Sequence, residues 1–155
     1  MKTSRGRDGF TLADVLLTCA IVGLLASIAI PNFLEARIAA QTSLFKTNMR
    51  VASQIFEMYT LAEGLFPPDS TPGQVPLGMG DYLARFPWSE MTAIGGYWDW
   101  DFQQYSFGCR AGVSVYRPSR TDDQMLKIDE DMDDGNLYTG IFRKRTDGYI
   151  YVIEF

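Results

Sequence analysis

Residues Val15 to Leu34 form a run of twenty positions without a single charged side chain, and this run limits the chain's options more than any other feature. As an α-helix it spans about 30 Å, the hydrocarbon thickness of a bilayer. Asp14 stands at its N-terminal edge. A carboxylate carried toward the bilayer centre costs about 2.5–3.5 kcal/mol, so a chain that keeps one there should supply it with a partner. A short leader, Met1 to Asp8, precedes the run and carries Lys2, Arg5 and Arg7 against Asp8. Basic residues ahead of an apolar span hold the N-terminus in the cytoplasm and send the C-terminal side across. A cleaved secretory signal would be shorter and would end in a small-x-small site. Here the apolar run continues into Glu35-Ala36-Arg37 without loop composition, as an uncleaved signal anchor would.

The helical pattern does not stop at the end of the span. Ile38, Phe45, Met49, Ala52, Phe56 and Tyr59 fall on one stripe of a helix, with Arg37, Lys46, Arg50 and Glu57 mostly off it. No Gly or Pro occurs between Asn32 and Glu63, and Gly64 with Pro67-Pro68 supplies the stop. The spacing predicts one helix from about Phe10 to Glu63, apolar all round in its first half and amphipathic in its second. Pro31 removes a backbone hydrogen bond and Gly23 weakens the helix, which predicts a kink or local unwinding there.

The remainder has to build a soluble core from aromatics, since much of the aliphatic content is spent before Leu34. Pro67 to Gly80 has loop composition, and Asp81 to Phe86 suits a short helix or turn. Tyr97 to Tyr105 alternates, with Trp98, Trp100 and Phe102 set against Asp99, Asp101 and Gln103, as in a strand with one buried and one wet face. Gly112 to Tyr116 and Tyr149 to Phe155 are further strands. The predicted fold is α+β: a long N-terminal helix whose second half packs on a small antiparallel sheet. No internal repeat or interdomain linker is visible. The aromatic stripe suits a sheet core better than a sugar- or partner-binding surface.

Composition removes several function classes. There is no histidine, so Ser-His-Asp and Cys-His nucleophile arrangements are absent, along with the commonest zinc ligand. The net charge of −5 and the lack of a basic patch argue against nucleic-acid binding. Cys19 lies in the apolar span and Cys109 beyond it, so no disulfide framework is expected. With no nucleophile–base pair and no evident metal cluster, the chain does not read as an enzyme. The stretch Thr121 to Asn136 is acidic and ends in a turn signal, Asp134-Gly135-Asn136. Asp129, Asp131, Asp133 and Asp134 partly resemble a calcium loop. An EF-hand counted from Asp129 would place Gly where Asp134 stands and Glu where Gly140 stands, so it is not an EF-hand. A solvated acidic turn is the expectation, with a calcium site of another kind as the alternative.

One segment resembles a known family. Gly9-Phe10-Thr11-Leu12-Ala13-Asp14, the long apolar run, and Ala29-Ile30-Pro31-Asn32-Phe33 are similar to the N-terminal cleavage and methylation segment of type IV pilins and of type II secretion pseudopilins. The match is close over Gly9 to Arg37, and beyond Pro68 it is architectural only. The resemblance implies three segments: a leader over residues 1–9, a transmembrane or filament-core helix segment over 10–34, and a soluble pilin-like domain over 35–155. It implies that a prepilin peptidase cuts after Gly9, that Phe10 becomes an N-methylated terminus, and that the Asp14 carboxylate pairs with the terminal amine of a neighbouring subunit. Family members usually carry glutamate at that position, and Asp14 is one methylene shorter. Major pseudopilins of the family hold calcium in a C-terminal loop, which bears on the acidic stretch.

The implied function is structural, with no catalytic residue and no required cofactor. The subunit would be anchored in the bacterial inner membrane with its C-terminal domain periplasmic, and then enter a filament. Implied partners are the prepilin peptidase, other pilin or pseudopilin subunits, an assembly platform and the membrane itself. A small soluble domain without a disulfide-closed C-terminal loop favours a type II secretion pseudopilus over a type IV pilus. The alternative of another class is a monomeric, signal-anchored periplasmic domain that binds a ligand on its aromatic strand.

Overall fold

The computed structural model describes residues 11–103 and 108–155. Its first element, α1, is a continuous α-helix from Leu12 to Glu63, and the four strands that follow are β1 (Tyr97–Phe102), β2 (Ala111–Tyr116), β3 (Phe142–Arg145) and β4 (Gly148–Glu154). A second helix, α2 (Asp122–Met132), lies between β2 and β3. The chain divides into two compact units, the first ending at Ala39 and the second running from Ala40 to Phe155.

In the first unit the helix is exposed along its length, and its apolar window has a mean hydropathy of 2.3. It is the one helix among the described residues long and apolar enough to cross a membrane. The unwinding expected near Gly23 and Pro31 does not occur, since α1 is continuous through both. A proline costs the helix a single amide donor, and the turns on either side hold their own bonds. Ile38 belongs to this exposed stretch and not to the packed stripe.

The second unit is organised around the aromatic face of the helix. Phe45, Met49, Ala52, Phe56 and Tyr59 are buried at the expected helical spacing. Phe45 stacks on Trp98 at 5.7 Å between ring centroids, and Phe56 stacks on Trp100 at 4.0 Å. The sheet is antiparallel throughout, in the order β1-β2-β4-β3. Its register sets Trp98 opposite Val115 and Trp100 opposite Val113, with Val113 opposite Tyr151 and Phe142 opposite the same tyrosine. These residues make the face turned to the helix. Two of the three buried indole N–H groups donate to backbone carbonyls: Trp100 to Pro67 O at 3.0 Å and Trp88 to Gln74 O at 2.7 Å. The loop after α1 also covers the outer edge of β1, with the Gly73 N–H bonded to Trp98 O at 2.7 Å. That protects an edge strand from pairing with another chain.

The other face of the sheet departs from the wet face that alternation predicts. Asp99 is 3% exposed and Asp101 5%. Arg145, three strands away in sheet order, reaches both carboxylates: its Nη2 lies 3.1 Å from Asp99 Oδ2, and its Nη1 bonds Asp101 Oδ2. The Ser114 hydroxyl donates to the same Asp101 oxygen. Alternation sorts side chains between two faces but does not say what covers the second. Two carboxylates sharing one guanidinium remain strained toward neutrality: burial pushes the Asp99 carboxyl up to about 6, with Asp101 adding and Arg145 opposing. The burial of Trp98 and Trp100 in the helix-facing core also removes the ligand-binding aromatic strand from consideration.

Candidate functional site

Two regions carry the residues singled out by sequence. The first is the start of α1. Gly9 and Phe10 lie outside the described residues. Thr11 and Asp14 do not, and they cap the helix reciprocally: the Thr11 N–H donates to Asp14 Oδ2 at 3.0 Å, and the Asp14 N–H donates to Thr11 Oγ1 at 3.3 Å. The Thr11 hydroxyl adds a further bond to Asp14 Oδ2 at 2.7 Å. This is a capping box with aspartate in the third helical position, where it also sits favourably in the field of the helix N-terminus. Asp14 is exposed. Its Oδ1 takes no hydrogen bond among the described residues, which leaves one oxygen for an outside cation. Thr11 is the residue that sequence reasoning passed over, although a Thr-x-x-Asp spacing directly before an apolar run is a capping signal.

The second region follows α2. The acidic stretch is not a solvated turn throughout: residues Asp122 to Met132 are helical, and Met125 and Ile128 are buried in the core. The Thr121 N–H donates to Gln124 Oε1 at 3.3 Å, half of a second capping box. Asp129 falls on the buried side of this helix and is fully enclosed. Neither of its carboxylate oxygens makes a hydrogen bond of normal geometry. Burial pushes its carboxyl up to about 6, Asp133 and Asp134 add to the rise, and the Asn136 N–H opposes it in part. That N–H is itself bonded to Asp134 Oδ1 at 2.9 Å.

Oxygens of Asp129, Asp133 and Asp134 converge within 4.8 Å of one another. Asp131, grouped with them by sequence, points away and pairs with Lys46 on α1 at 2.5 Å. The turn is built to hold the other two acids. Asp133 Oδ2 accepts the N–H groups of Ile141 and Phe142, the second at 3.1 Å, and Asp134 Oδ2 accepts the Thr139 hydroxyl at 2.7 Å. Gly140 has φ +69 and passes so close to Asp133 that a Cβ there would lie 1.8 Å from Oδ2, so glycine is required. Three carboxylates, one of them buried and unsatisfied, suit a hard divalent cation with oxygen ligands. Asp129, Asp133 and Asp134 would hold it, and it would supply the positive charge that the turn lacks.

Comparison with known proteins places the chain among filament subunits. It is 26% identical over 127 residues to the type II secretion system core protein G of Vibrio cholerae, covering 75% of this chain and 82% of that protein. It is 29% identical over 89 residues to the type IV wide pilus major component PilA4 of Thermus thermophilus, covering 57% of this chain and 67% of that one. The type IV major pilin protein PilA of Myxococcus xanthus is 38% identical over 58 residues, 37% of this chain and 24% of its own. No family model matches, and no solved structure does. These relatives are structural subunits and not enzymes. Together with a long apolar N-terminal helix and a small antiparallel sheet, these likenesses make the chain similar to type IV pilin-like subunits, pilins and pseudopilins alike.

Proposed function

We propose that the chain is a subunit of a type II secretion pseudopilus, processed after Gly9 and assembled through its N-terminal helix. The observation that carries this choice over a surface pilus is the extent of likeness. It runs through 82% of a secretion-system core protein, against 67% of the Thermus wide-pilus component and 24% of the Myxococcus pilin. In this reading a prepilin peptidase on the cytoplasmic side removes residues 1–9, and Phe10 becomes an N-methylated terminus. Residues 10–34 anchor the subunit in the inner membrane, with residues 35–155 in the periplasm. The assembly platform then draws it into the filament. The new ammonium at Phe10 and the carboxylate of Asp14 are each costly alone beside an apolar span, and pairing between neighbouring subunits sets their axial offset. The Oδ1 of Asp14, which takes no hydrogen bond among the described residues, is the oxygen that would accept it. Calcium at Asp129, Asp133 and Asp134 would neutralise the turn between α2 and β3 in the assembled subunit.

The test is intact-mass and N-terminal analysis of membrane-extracted protein made together with its prepilin peptidase. The expected chain begins at methylated Phe10, and Asp14→Ala is expected to be processed but excluded from filaments. A chain that still begins at Met1 or Lys2 would sink the proposal and leave a signal-anchored domain. Loss of extracellular cargo on deleting the gene, with surface fibres unchanged, is the result that separates a pseudopilus from a pilus.

A further inference from the structure

The N-terminal end of α2 lies in an open depression of about 310 Å³ lined by Arg117, Arg120, Lys144, Asp122, Asp147 and Tyr149. Its charges are unevenly matched. Lys144 and Asp122 are paired with each other, and the Tyr149 hydroxyl donates to the same Asp122 carboxylate. Arg117 and Arg120 have no carboxylate partner among the described residues. Arg120 donates to the neutral Gln41 Oε1 at 2.5 Å, and its buried Nε is unsatisfied. Arg117 is exposed and lies over the Tyr116 ring, 5.1 Å from its centroid. Its backbone sits at φ 49, a left-handed conformation that a non-glycine residue adopts at a cost. Strain of this kind gathers where a side chain is aimed for use.

The opposite end of the same helix has the opposite character. The last turn of α2 holds Asp129, Glu130 and Asp131 and no basic residue. Carboxylates at a helix C-terminus oppose the helix macrodipole, so the helix itself gains nothing from them. Asp129 belongs to the buried acidic cluster, while Glu130 and Asp131 are exposed. Along the 11 residues of α2 the two ends are separated by about 16 Å. A chain with two different, mutually complementary patches makes a head-to-tail contact, and such contacts generate open helical assemblies.

We propose that the Arg117–Arg120 depression receives the acidic C-terminal end of α2, Glu130 foremost, from a second copy of this chain. The contact rests on the filament-subunit reading and adds to it a surface outside the N-terminal helix. Charge complementarity of this kind mainly fixes register and suppresses wrong partners, which a helical filament requires at every step.

The test uses the full-length chain expressed with its peptidase, and the readout is the fraction sedimenting as filament. Arg117→Glu and Glu130→Arg, made singly, are each expected to lower that fraction about tenfold, with unchanged melting temperature, because each juxtaposes like charges. The two made together in one chain are expected to restore it, since every contact is again complementary. Assembly of either single variant at the wild-type level overturns the contact. Loss in both singles without rescue in the double variant overturns Glu130 as the occupant. Wild-type protein that stays dispersed in the membrane overturns the filament reading itself, and this contact with it.

Discussion

Asp129→Asn is expected to stabilise the cation-free protein at neutral pH while abolishing its response to calcium. In the folded chain the Asp129 carboxyl is raised to about 6 by burial and by two neighbouring carboxylates. In the unfolded chain it returns to about 3.9. A carboxyl raised in the fold contributes stability that is fully present below the unfolded value and is lost as pH rises through about 6. A shift of about two units corresponds to about 3 kcal/mol at neutral pH, and solvent screening around the exposed Asp134 reduces this to about 2 kcal/mol. Asparagine resembles the protonated acid in size and neutrality, so the variant keeps at pH 7.5 what the wild type has at pH 4. Calcium, held as proposed, is expected to reverse the ranking, because a ligand at a hundred times its Kd stabilises by about 2.7 kcal/mol only where the site is intact. Trp88, Trp98 and Trp100 are all buried in the second unit, so tryptophan fluorescence during urea unfolding reads that unit directly. Two results in chelator would refute the reasoning: wild-type stability flat between pH 4 and 7, or an asparagine variant weaker than wild type at pH 7.5.

Other substitutions probe the packing. Phe56→Ala removes a ring stacked on Trp100 at 4.0 Å and in contact with Trp88, and the cavity is expected to cost about 3–5 kcal/mol in urea unfolding. Arg145→Met leaves Asp99 and Asp101 buried without their shared cation, at an expected cost of about 3–5 kcal/mol at pH 7.5. That cost is expected to shrink as pH falls below about 6 and Asp99 takes up a proton, which equilibrium unfolding at pH 5 and pH 7.5 checks.

Legibility in the sequence follows the physics of each element. The long helix was readable because one composition forces it through 52 residues, first by uninterrupted apolarity and then by an aromatic stripe. The wet face of β1 was misread because the partner of Asp101 is 44 residues away, and no local pattern carries that information. Helix α2 was hidden by its charge. Only Met125, Leu126, Ile128 and Met132 in its 11 residues are apolar, and the acids at its C-terminus run against helix preference. Strand β3, Phe142-Arg143-Lys144-Arg145, has no strand composition at all. It exists because β4 offers it an edge and Phe142 fills a place in the core, stacked on Tyr149 at 5.9 Å. At the site, the acids were legible as a group, but their division was not. Which of them is buried depends on the helix phase, and that phase was visible only once α2 was.

The first unit poses a different problem, because its helix is complete as a helix but not as a structure. Between Leu12 and Leu34 it exposes twelve large apolar side chains. Burying each is worth about 1.5–3 kcal/mol, so leaving all of them in water forfeits roughly 20–35 kcal/mol. A typical domain has a net stability of only about 5–15 kcal/mol to set against that. The helix therefore passes from lipid to the interior of an assembly without an intermediate in water. Lipid and a bundle of like helices are nearly equivalent solvents for leucine and isoleucine, so apolar contact alone drives little association between them. In the proposed filament, register would come from the polar group that the span retains at its edge. Asp14 already satisfies one oxygen through the Thr11 cap, and the other takes no hydrogen bond among the described residues. In the proposed filament, a single directed bond at the helix start, with the proposed charge contact on the second unit, would be sufficient to choose one axial offset among many that packing alone would accept.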